Sequence, residues 1–225
     1  YHHILLHSLK GFGTTSDALA FGGELQPPGA AVTNTEQYNG STWTTTSSLA
    51  QVKKGMAPGG NPSAGFAAGG GPPTASLSGT EEYNTTVNSV VAAAWSSGGN
   101  LNTARSRGTG GGTLTAGICV NGVTVNVEEY DGTSWTEQNN MPAALRDMSG
   151  FGTQTAFAGC AGYQPGPNSP SNATNEYDGT NWTSGGNMNT ARDGTSLHFG
   201  GVLTAGLING GGTPPYKQTE EYNGT

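Results

Sequence analysis

The sequence has little positive charge, with 8 Lys and Arg residues against 15 Asp and Glu and a formal net charge of −7. The few cations do not cluster along the chain. Because a nucleic-acid-binding surface needs cations that neutralise phosphates, this composition argues against a nucleic-acid partner. No apolar run reaches the ~18–20 residues of a membrane span, which argues against membrane insertion.

Apolar residues and cysteines are also scarce. Hydrophobic residues make up 32% of the chain and charged residues 10%, whereas Gly supplies 39 residues, which is untypical of a helical or α/β enzyme. Short runs of Thr, Asn, Ser and Gly instead favour many short strands joined by tight turns. The two cysteines, Cys119 and Cys160, are interpreted as free buried side chains rather than as a disulfide.

One Tyr recurs throughout the chain, and its copies are spaced 45, 47, 47 and 45 residues apart: Tyr38, Tyr83, Tyr130, Tyr177 and Tyr222. An acid-rich pair precedes each copy, reading EQ, EE, EE, NE and EE. An Asn-Gly or Asp-Gly turn then leads to Trp43, Trp135 and Trp182, and an insertion delays the corresponding Trp95. Asn-Gly and Asp-Gly are typical of a hairpin with a type I′ turn, which needs positive φ at both central residues.

Two further landmarks recur in a fixed order. A basic residue follows each Trp, at Lys53 and Lys54, Arg105, Arg146 and Arg192. A Gly-rich alternating stretch comes next and ends in a doublet of small residues, at 22–23, 69–70, 121–122, 161–162 and 210–211. Each unit therefore predicts four strands, and a four-stranded unit of this length that is repeated along a chain is typical of a β-propeller. We predict one all-β domain over residues 1–225 with five four-stranded blades.

The basic entry, the Gly doublet and the Tyr-Asp-x-x-x-Trp turn resemble the kelch repeat. Two doublets depart from that pattern, being Asn-Gly and Ala-Gly, and five units are fewer than the six or seven usual in kelch propellers. The residue pattern of these repeats is similar to that of Gly/Thr/Asn-rich kelch-like proteins of bacteriophages and environmental, especially marine, microbes. This resemblance implies a structural or adhesive protein of a virion or of an extracellular cell surface.

The two ends of the sequence are complementary. YHHILLHSLKGFGT at the N-terminus aligns with NMPAALRDMSGFGT, which starts at Asn140. Tyr1 to Leu6 are therefore expected to lie beside the strand that carries Tyr222 and to close the ring without a free edge. The alternative is a larger propeller trimmed to five units.

The acids before each Tyr are predicted to be scaffold rather than catalytic residues. A catalytic pair is needed once, not once per blade, and adjacent residues on a strand point to opposite faces. We expect Glu82, Glu129, Glu176 and Glu221 to be structural, with the cations Arg105, Arg146 and Arg192 as candidate partners. The four Trp residues, Trp43, Trp95, Trp135 and Trp182, are expected to fill the wedge between neighbouring sheets.

No residues form a convincing catalytic or metal-binding set. Copper-radical oxidases share the kelch fold, but they need two metal-binding His residues and a Tyr crosslinked to Cys, and no such set can be assigned among His2, His3, His7 and His198. Sialidase propellers carry their Trp five residues after Asp, whereas Trp135 and Trp182 follow by four. We therefore predict a non-enzymatic protein without a cofactor or a metal.

The loops between the second and third strands vary most in length and hold much of the proline. Function tends to lie on variable loops over a rigid scaffold. We predict contacts with glycans or with other structural subunits, in a homo- or hetero-oligomer, through Gln26, Tyr163, Gln164, Asn168 and Tyr216. Tyr can stack on a sugar and amides can bond its hydroxyls. The alternatives are a subunit of an extracellular microbial filament or surface layer, and a carbohydrate-active propeller enzyme.

Overall fold

The computed structural model describes residues 6–25, 29–71, 75–85, 94–164, 166, 169–193, 197–212 and 217–224. The strands are, in chain order, β1 (Leu6–His7), β2 (Lys10–Gly13), β3 (Ala18–Phe21), β4 (Glu24–Leu25), β5 (Thr35–Tyr38), β6 (Trp43–Thr45), β7 (Ala57–Asn61), β8 (Ala64–Ala68), β9 (Thr80–Asn84), β10 (Ala94–Ser97), β11 (Thr109–Thr113), β12 (Ala116–Val120), β13 (Val127–Tyr130), β14 (Trp135–Gln138), β15 (Ser149–Thr153), β16 (Ala156–Cys160), β17 (Tyr163–Gln164), β18 (Ser169–Pro170), β19 (Thr174–Tyr177), β20 (Trp182–Ser184), β21 (Leu197–Val202), β22 (Ala205–Gly210) and β23 (Thr219–Tyr222). Over these ranges the chain contains no helix, and hence none that could cross a membrane.

Five antiparallel sheets form the blades of a β-propeller, as predicted. The first four blades are β2-β3-β5-β6, β7-β8-β9-β10, β11-β12-β13-β14 and β15-β16-β19-β20. The fifth blade has three strands among the described residues, in the order β21-β22-β23. Two small two-stranded sheets, β1-β4 and β17-β18, accompany the blades. The hairpins within each blade gather at one end of the molecule, here called the hairpin end, and the loops between second and third strands gather at the other, the loop end.

The turn between Tyr and Trp is built on a side chain. Tyr130 pairs with Trp135 across it, and Asp131 Oδ1 accepts hydrogen bonds from the backbone N–H groups of Thr133 and Ser134, both at 2.8 Å. Of Asp131 and Gly132, only the glycine has a positive φ, of 93°. The predicted type I′ turn is therefore wrong, because four residues form the loop and the Asp carboxylate, rather than a second left-handed residue, satisfies its backbone donors.

The core lies between neighbouring blades rather than within one. Trp135 stacks on Tyr130 of its own blade, with ring centroids 4.8 Å apart, and meets Phe66 of the preceding blade edge-on at 5.6 Å. Similar clusters of buried side chains fill the wedge at each of the four junctions from the first blade to the fifth. At these junctions Tyr83, Tyr130 and Tyr177 and the rings of Trp95, Trp135 and Trp182 lie in the wedge between sheets, whereas Trp43, for which the sequence predicted the same position, is 50% exposed.

Glycines allow the innermost strands to approach closely. A Cβ at Gly111 would lie 2.8 Å from the carbonyl oxygen of Gly152 in the next blade, and a Cβ at Gly59 would lie 2.7 Å from that of Gly111. The five innermost strands surround a central cavity of about 170 Å³ that glycines line almost completely. Larger side chains at these positions would push the blades apart.

The junction between the fifth and first blades differs from the others. Leu207 is 39% exposed, whereas its equivalent Ile118 is fully buried, and Trp43 is 50% exposed against 5% for Trp135. A Cβ at Gly200, the equivalent of Gly111, would have no described atom within 4 Å. These two sheet faces are therefore open among the described residues.

The predicted pairing of Tyr1 to Leu6 with the strand of Tyr222 is not found in the described part of the chain. Leu6 pairs with Leu25 and His7 with Glu24, so this segment joins the first blade at the loop end. Residues 1–5 lie outside the described residues. Arg146 and Tyr163 form the equivalent bridge in the fourth blade, which shows that the alignment of the N-terminus with Asn140 onwards has the correct register.

Candidate functional site

A buried ion pair recurs at the loop end of three blades. The fully buried Arg105 donates to Glu128 and, at 2.9 Å, to the backbone carbonyl of Asn126. Arg192 repeats both contacts with Glu220, at 2.6 Å, and with the carbonyl of Gln218, at 2.8 Å. Lys53 lies 3.4 Å from Glu81 in the second blade. Each pair ties the start of a blade to its third strand.

The partner assignment made from the sequence is therefore wrong by one residue. The cations bind the first acid of each pair, whereas the sequence predicts the second acids, Glu82, Glu129, Glu176 and Glu221, as their partners. Adjacent residues on a strand face opposite sides of the sheet, so only one acid of a pair can face the cation. Sequence alone does not reveal which of the two faces it is.

Arg146 has a different position from Arg105 and Arg192. The residue equivalent to those two cations is the buried Leu145, and the corresponding first position of the acidic pair holds Asn175. The fourth blade thus replaces a buried cation and its acid with Leu and Asn together. Arg146 instead lies over the ring of Tyr163, with its guanidinium carbon 4.4 Å from the ring centroid.

The second acids join neighbouring blades. Tyr177 Oη donates to Glu129 of the preceding blade at 3.1 Å. Tyr130 donates in the same way to Glu82, and Tyr222 to Glu176. Burial, together with the neighbouring carboxylates, raises the pKa of both Tyr130 and Tyr222 to about 12. These hydroxyls therefore stay protonated and donate hydrogen bonds at neutral pH. Of the four second acids, Glu82, Glu129 and Glu176 are half-buried and Glu221 is exposed.

The indole nitrogens make a third set of links between blades. Trp95 Nε1 donates to Thr35 Oγ1 at 3.2 Å and Trp135 Nε1 to Thr80 Oγ1 at 2.9 Å. Trp182 donates to the backbone carbonyl of Asn139 at 3.1 Å, because Val127 stands where the other blades have Thr. Each Trp is thus fixed both by its ring and by its N–H group.

Sequence reasoning missed the asparagines that complete the ion pairs. Asn102 donates to Glu128 Oε2 through its backbone N–H at 2.7 Å and through its side chain at 2.9 Å. Asn189 makes the same two contacts with Glu220, at 2.6 and 3.0 Å. Although burial opposes the shift, these donors and Arg192 lower the pKa of Glu220. The repeated sequence motifs NLNTAR and NMNTAR, which contain both asparagines, were the signal that could have identified them.

The predicted binding residues lie at the loop end as far as they are described. Tyr163 and Gln164 pair with Pro170 and Ser169 in a short hairpin, and both are half-buried. The guanidinium of Arg146 covers the Tyr163 ring and the backbones of the two residues bond in both directions, at 2.8 and 3.2 Å. The remaining three predicted binding residues, Gln26, Asn168 and Tyr216, lie outside the described residues.

Among the residues that the structure describes, no ionisable side chain lines the central cavity. Its described lining consists of glycines together with Pro58, Phe12 and Phe151. In the part of the chain that the structure describes, no group of three His, Cys, Asp or Glu side chains could hold a metal ion. The described lining of the cavity is therefore uncharged.

Comparisons with known proteins support the fold and leave the family open. The chain matches no family model, and no curated protein resembles it closely enough to match. Among solved structures it is similar to one titled "Structure of YjhT", with a TM-score of 0.72 and 11% sequence identity. The match covers 93% of this chain and 73% of the other. The chain is therefore a β-propeller, and at this identity the likeness extends to the fold alone.

Proposed function

We propose that this chain is a non-enzymatic, kelch-like propeller that serves as a structural or adhesive component, with the loop end binding glycans or neighbouring subunits. The main support is that the acids before each Tyr bind other side chains of the fold. Glu81, Glu128 and Glu220 bind buried cations, while Glu82, Glu129 and Glu176 accept bonds from the Tyr of the next blade. Acids that hold blades together are poorly placed to serve as proton donors for a substrate.

The hairpin that carries Tyr163 supports binding at the loop end. Its aromatic ring is held in place by Arg146, and its Gln164 offers both a donor and an acceptor. A contact residue that is already fixed loses less conformational entropy on binding. The scarcity of cations suits neutral glycans or protein subunits better than phosphates.

The location that we propose is a virion, as a fibre or decoration component. The support is the resemblance of the repeats to kelch-like proteins of bacteriophages and marine microbes. A subunit of an extracellular filament or surface layer would use the same loop end, and imaging of the particle or filament that contains the chain distinguishes the two.

The experiment measures glycan binding on an array, and self-assembly by light scattering, for the chain and for Tyr163→Ala. We expect the Ala variant to lose binding or assembly while its melting temperature is nearly unchanged. Thr133→Ala is the matched control, because Thr133 is exposed at the hairpin end. Full binding and normal assembly by the Tyr163 variant would refute the loop end, and turnover of a bound glycan would refute the non-enzymatic proposal.

A further inference from the structure

The positive charges of the chain all lie at one end of the propeller. The basic residues of each blade stand at or shortly before its first strand, and the remaining cation, Lys217, lies in the loop before β23. Both places belong to the loop end. Three of the eight cations, Lys53, Arg105 and Arg192, are buried. The five that reach the surface are Lys10, Lys54, Arg107, Arg146 and Lys217. The turns at the hairpin end contain no Lys or Arg.

The hairpin end carries exposed carboxylates instead, on Asp17, Asp131 and Asp178. Asp178 Oδ1 accepts the backbone N–H groups of Thr180 and Asn181, at 2.8 and 2.7 Å, just as Asp131 does in its own turn. These bonds hold the carboxylates in place and lower the pKa of both Asp131 and Asp178, so both are ionised at neutral pH. Within the described part of the chain, Oδ2 of Asp178 accepts no hydrogen bond.

The carboxylates of the loop end leave cations available there. The connections at this end contain three acids, Glu24, Asp147 and Asp193, against the five surface cations. Glu24 binds Lys54. Arg107 lies 3.5 Å from Asp147, yet the side chain of Arg107 is 51% exposed. The two ends of the propeller therefore present opposite charges to their surroundings.

Exposed apolar side chains accompany the charges at both ends. Val123, in the short loop between β12 and β13, is 51% exposed and has a positive φ of 69°. A β-branched residue rarely adopts this conformation, and such strain tends to persist where the residue has a role. Leu9 and Val52 are also exposed at the loop end, and Val202 is exposed beside the turn between β21 and β22 at the hairpin end.

We propose that the hairpin end of one copy of the chain docks on the loop end of a second copy. The inference rests on the proposed function, which gives the loop end to neighbouring subunits, and it adds which surface of which subunit binds there. The fixed carboxylates of Asp131 and Asp178 meet cations such as Arg107, and opposite charges set the orientation of the contact. Because the two surfaces differ, each copy keeps one of them free, so the contact can continue from copy to copy.

Sedimentation velocity of the full chain, at increasing protein concentration, measures this self-association. We expect association at low salt and its loss between about 10 mM and 1 M salt, because the screening length falls from about 30 to about 3 Å over that range.

The double variant Asp131→Asn with Asp178→Asn tests the hairpin end. Asn39 accepts the same two backbone bonds in the first blade, at 3.0 and 2.9 Å, so the turns are retained. We expect association to weaken roughly three- to tenfold, the combined effect of two exposed ion pairs. A general charge effect predicts the opposite, because the chain has a formal net charge of −7 and removing acids lessens the repulsion between copies.

Two controls keep the hairpin-end carboxylates. Glu137→Gln removes one exposed acid from the outer strand β14, and it is compared with the single Asp178→Asn variant, which removes one charge as well. Thr133→Ala alters the hairpin end without changing its charge. Both controls should associate at least as strongly as the parent, and the melting curve of every variant shows whether it is folded.

A mixing experiment tests whether the contact joins unlike ends. Arg107→Asp reverses one charge at the loop end and copies Asp147, whose φ of 53° is close to the 62° of Arg107. This variant and the double Asn variant should each associate weakly alone. Mixed together they should form one-to-one pairs with the affinity of the parent, because one supplies an intact hairpin end and the other an intact loop end.

The inference would be overturned by a parent that does not self-associate at low salt, by unchanged or stronger association of the double Asn variant, by equal weakening with Glu137→Gln, or by a mixture that forms no pairs. Loss of glycan binding by Tyr163→Ala, together with such a result, would leave the proposed function standing and refute the stacking alone. Stacking that Tyr163→Ala leaves intact, without glycan binding by the parent, would refute only the role of Tyr163.

Discussion

The buried pair of Arg105 and Glu128 allows a double-mutant test whose replacement residues the chain itself supplies. Both side chains are fully buried. Glu128→Asn would leave the guanidinium without its carboxylate, which typically costs about 3–5 kcal/mol in the free energy of unfolding. For a chain of this length, that loss lowers the melting temperature by roughly 6–20 °C.

The double variant Arg105→Leu with Glu128→Asn copies the fourth blade, where Leu145 and Asn175 stand at these positions. It removes the guanidinium charge that the single variant leaves buried without a carboxylate. The main groups that then lack a hydrogen-bond donor are the backbone carbonyls of Asn121 and Asn126. We expect a loss of about 1–3 kcal/mol, since that is the usual cost of unsatisfied buried groups. The double variant should therefore be more stable than the single Glu128→Asn variant.

The assay is urea unfolding followed by tryptophan fluorescence, with the parent, the two single variants and the double variant compared at one pH and salt concentration. Arg146→Ala is the outside control, because Arg146 stacks on Tyr163 and should lose only about 0.5–1 kcal/mol. Additive losses in the double variant would refute the reasoning, because they would mean that neither charge depends on the other.

Three further predictions concern packing, pH and thiol chemistry. Gly111→Ala should destabilise the fold by about 1–3 kcal/mol because its Cβ meets the next blade, whereas Gly200→Ala should be nearly neutral; equal losses in thermal unfolding would mean that the fifth and first blades pack as closely as the others. Backbone hydrogen bonds lower the pKa of Asp131, so its stabilisation is present above an unfolded pKa of about 3.9 and disappears as pH falls through the lower folded value. Asp131→Asn, which copies Asn39, should therefore be less stable than the parent at pH 7 and equally stable at the lowest pH, and a gap that persists in acid would contradict this. Burial raises the pKa of the Cys119 thiol to about 11 and that of the other cysteine to about 12, so both should resist a thiol reagent at pH 8 until the chain is unfolded; rapid reaction in the native state would show that they are accessible.

The sequence by itself determined the number, order and strand content of the blades. The recurrence of Tyr, Trp, cation and doublet at a nearly constant spacing is a local property, because each blade is one contiguous stretch of chain with short connections. It also indicated that the acids before each Tyr belong to a repeated pattern, and it placed Tyr163 and Gln164 in a loop. These features depend on neighbours that are close in sequence.

The tertiary structure decided which acid meets which partner. Strand alternation places Glu128 and Glu129 on opposite faces, but only the arrangement of the blades shows that Arg105 lies on one side and Tyr177 of the next blade on the other. The departure of Leu145 from the pattern of Arg105 likewise becomes visible only once the strands are in register.

The repeat pattern also did not indicate that the sheet faces at the junction of the fifth and first blades are open among the described residues. Leu207 and Trp43 belong to the same repeat positions as side chains that are buried elsewhere, Ile118 and Trp135. A repeat pattern assigns every copy the same environment. Whether a face is covered depends on which blade stands next to it in space, and that contact is a property of the assembled ring rather than of any single repeat.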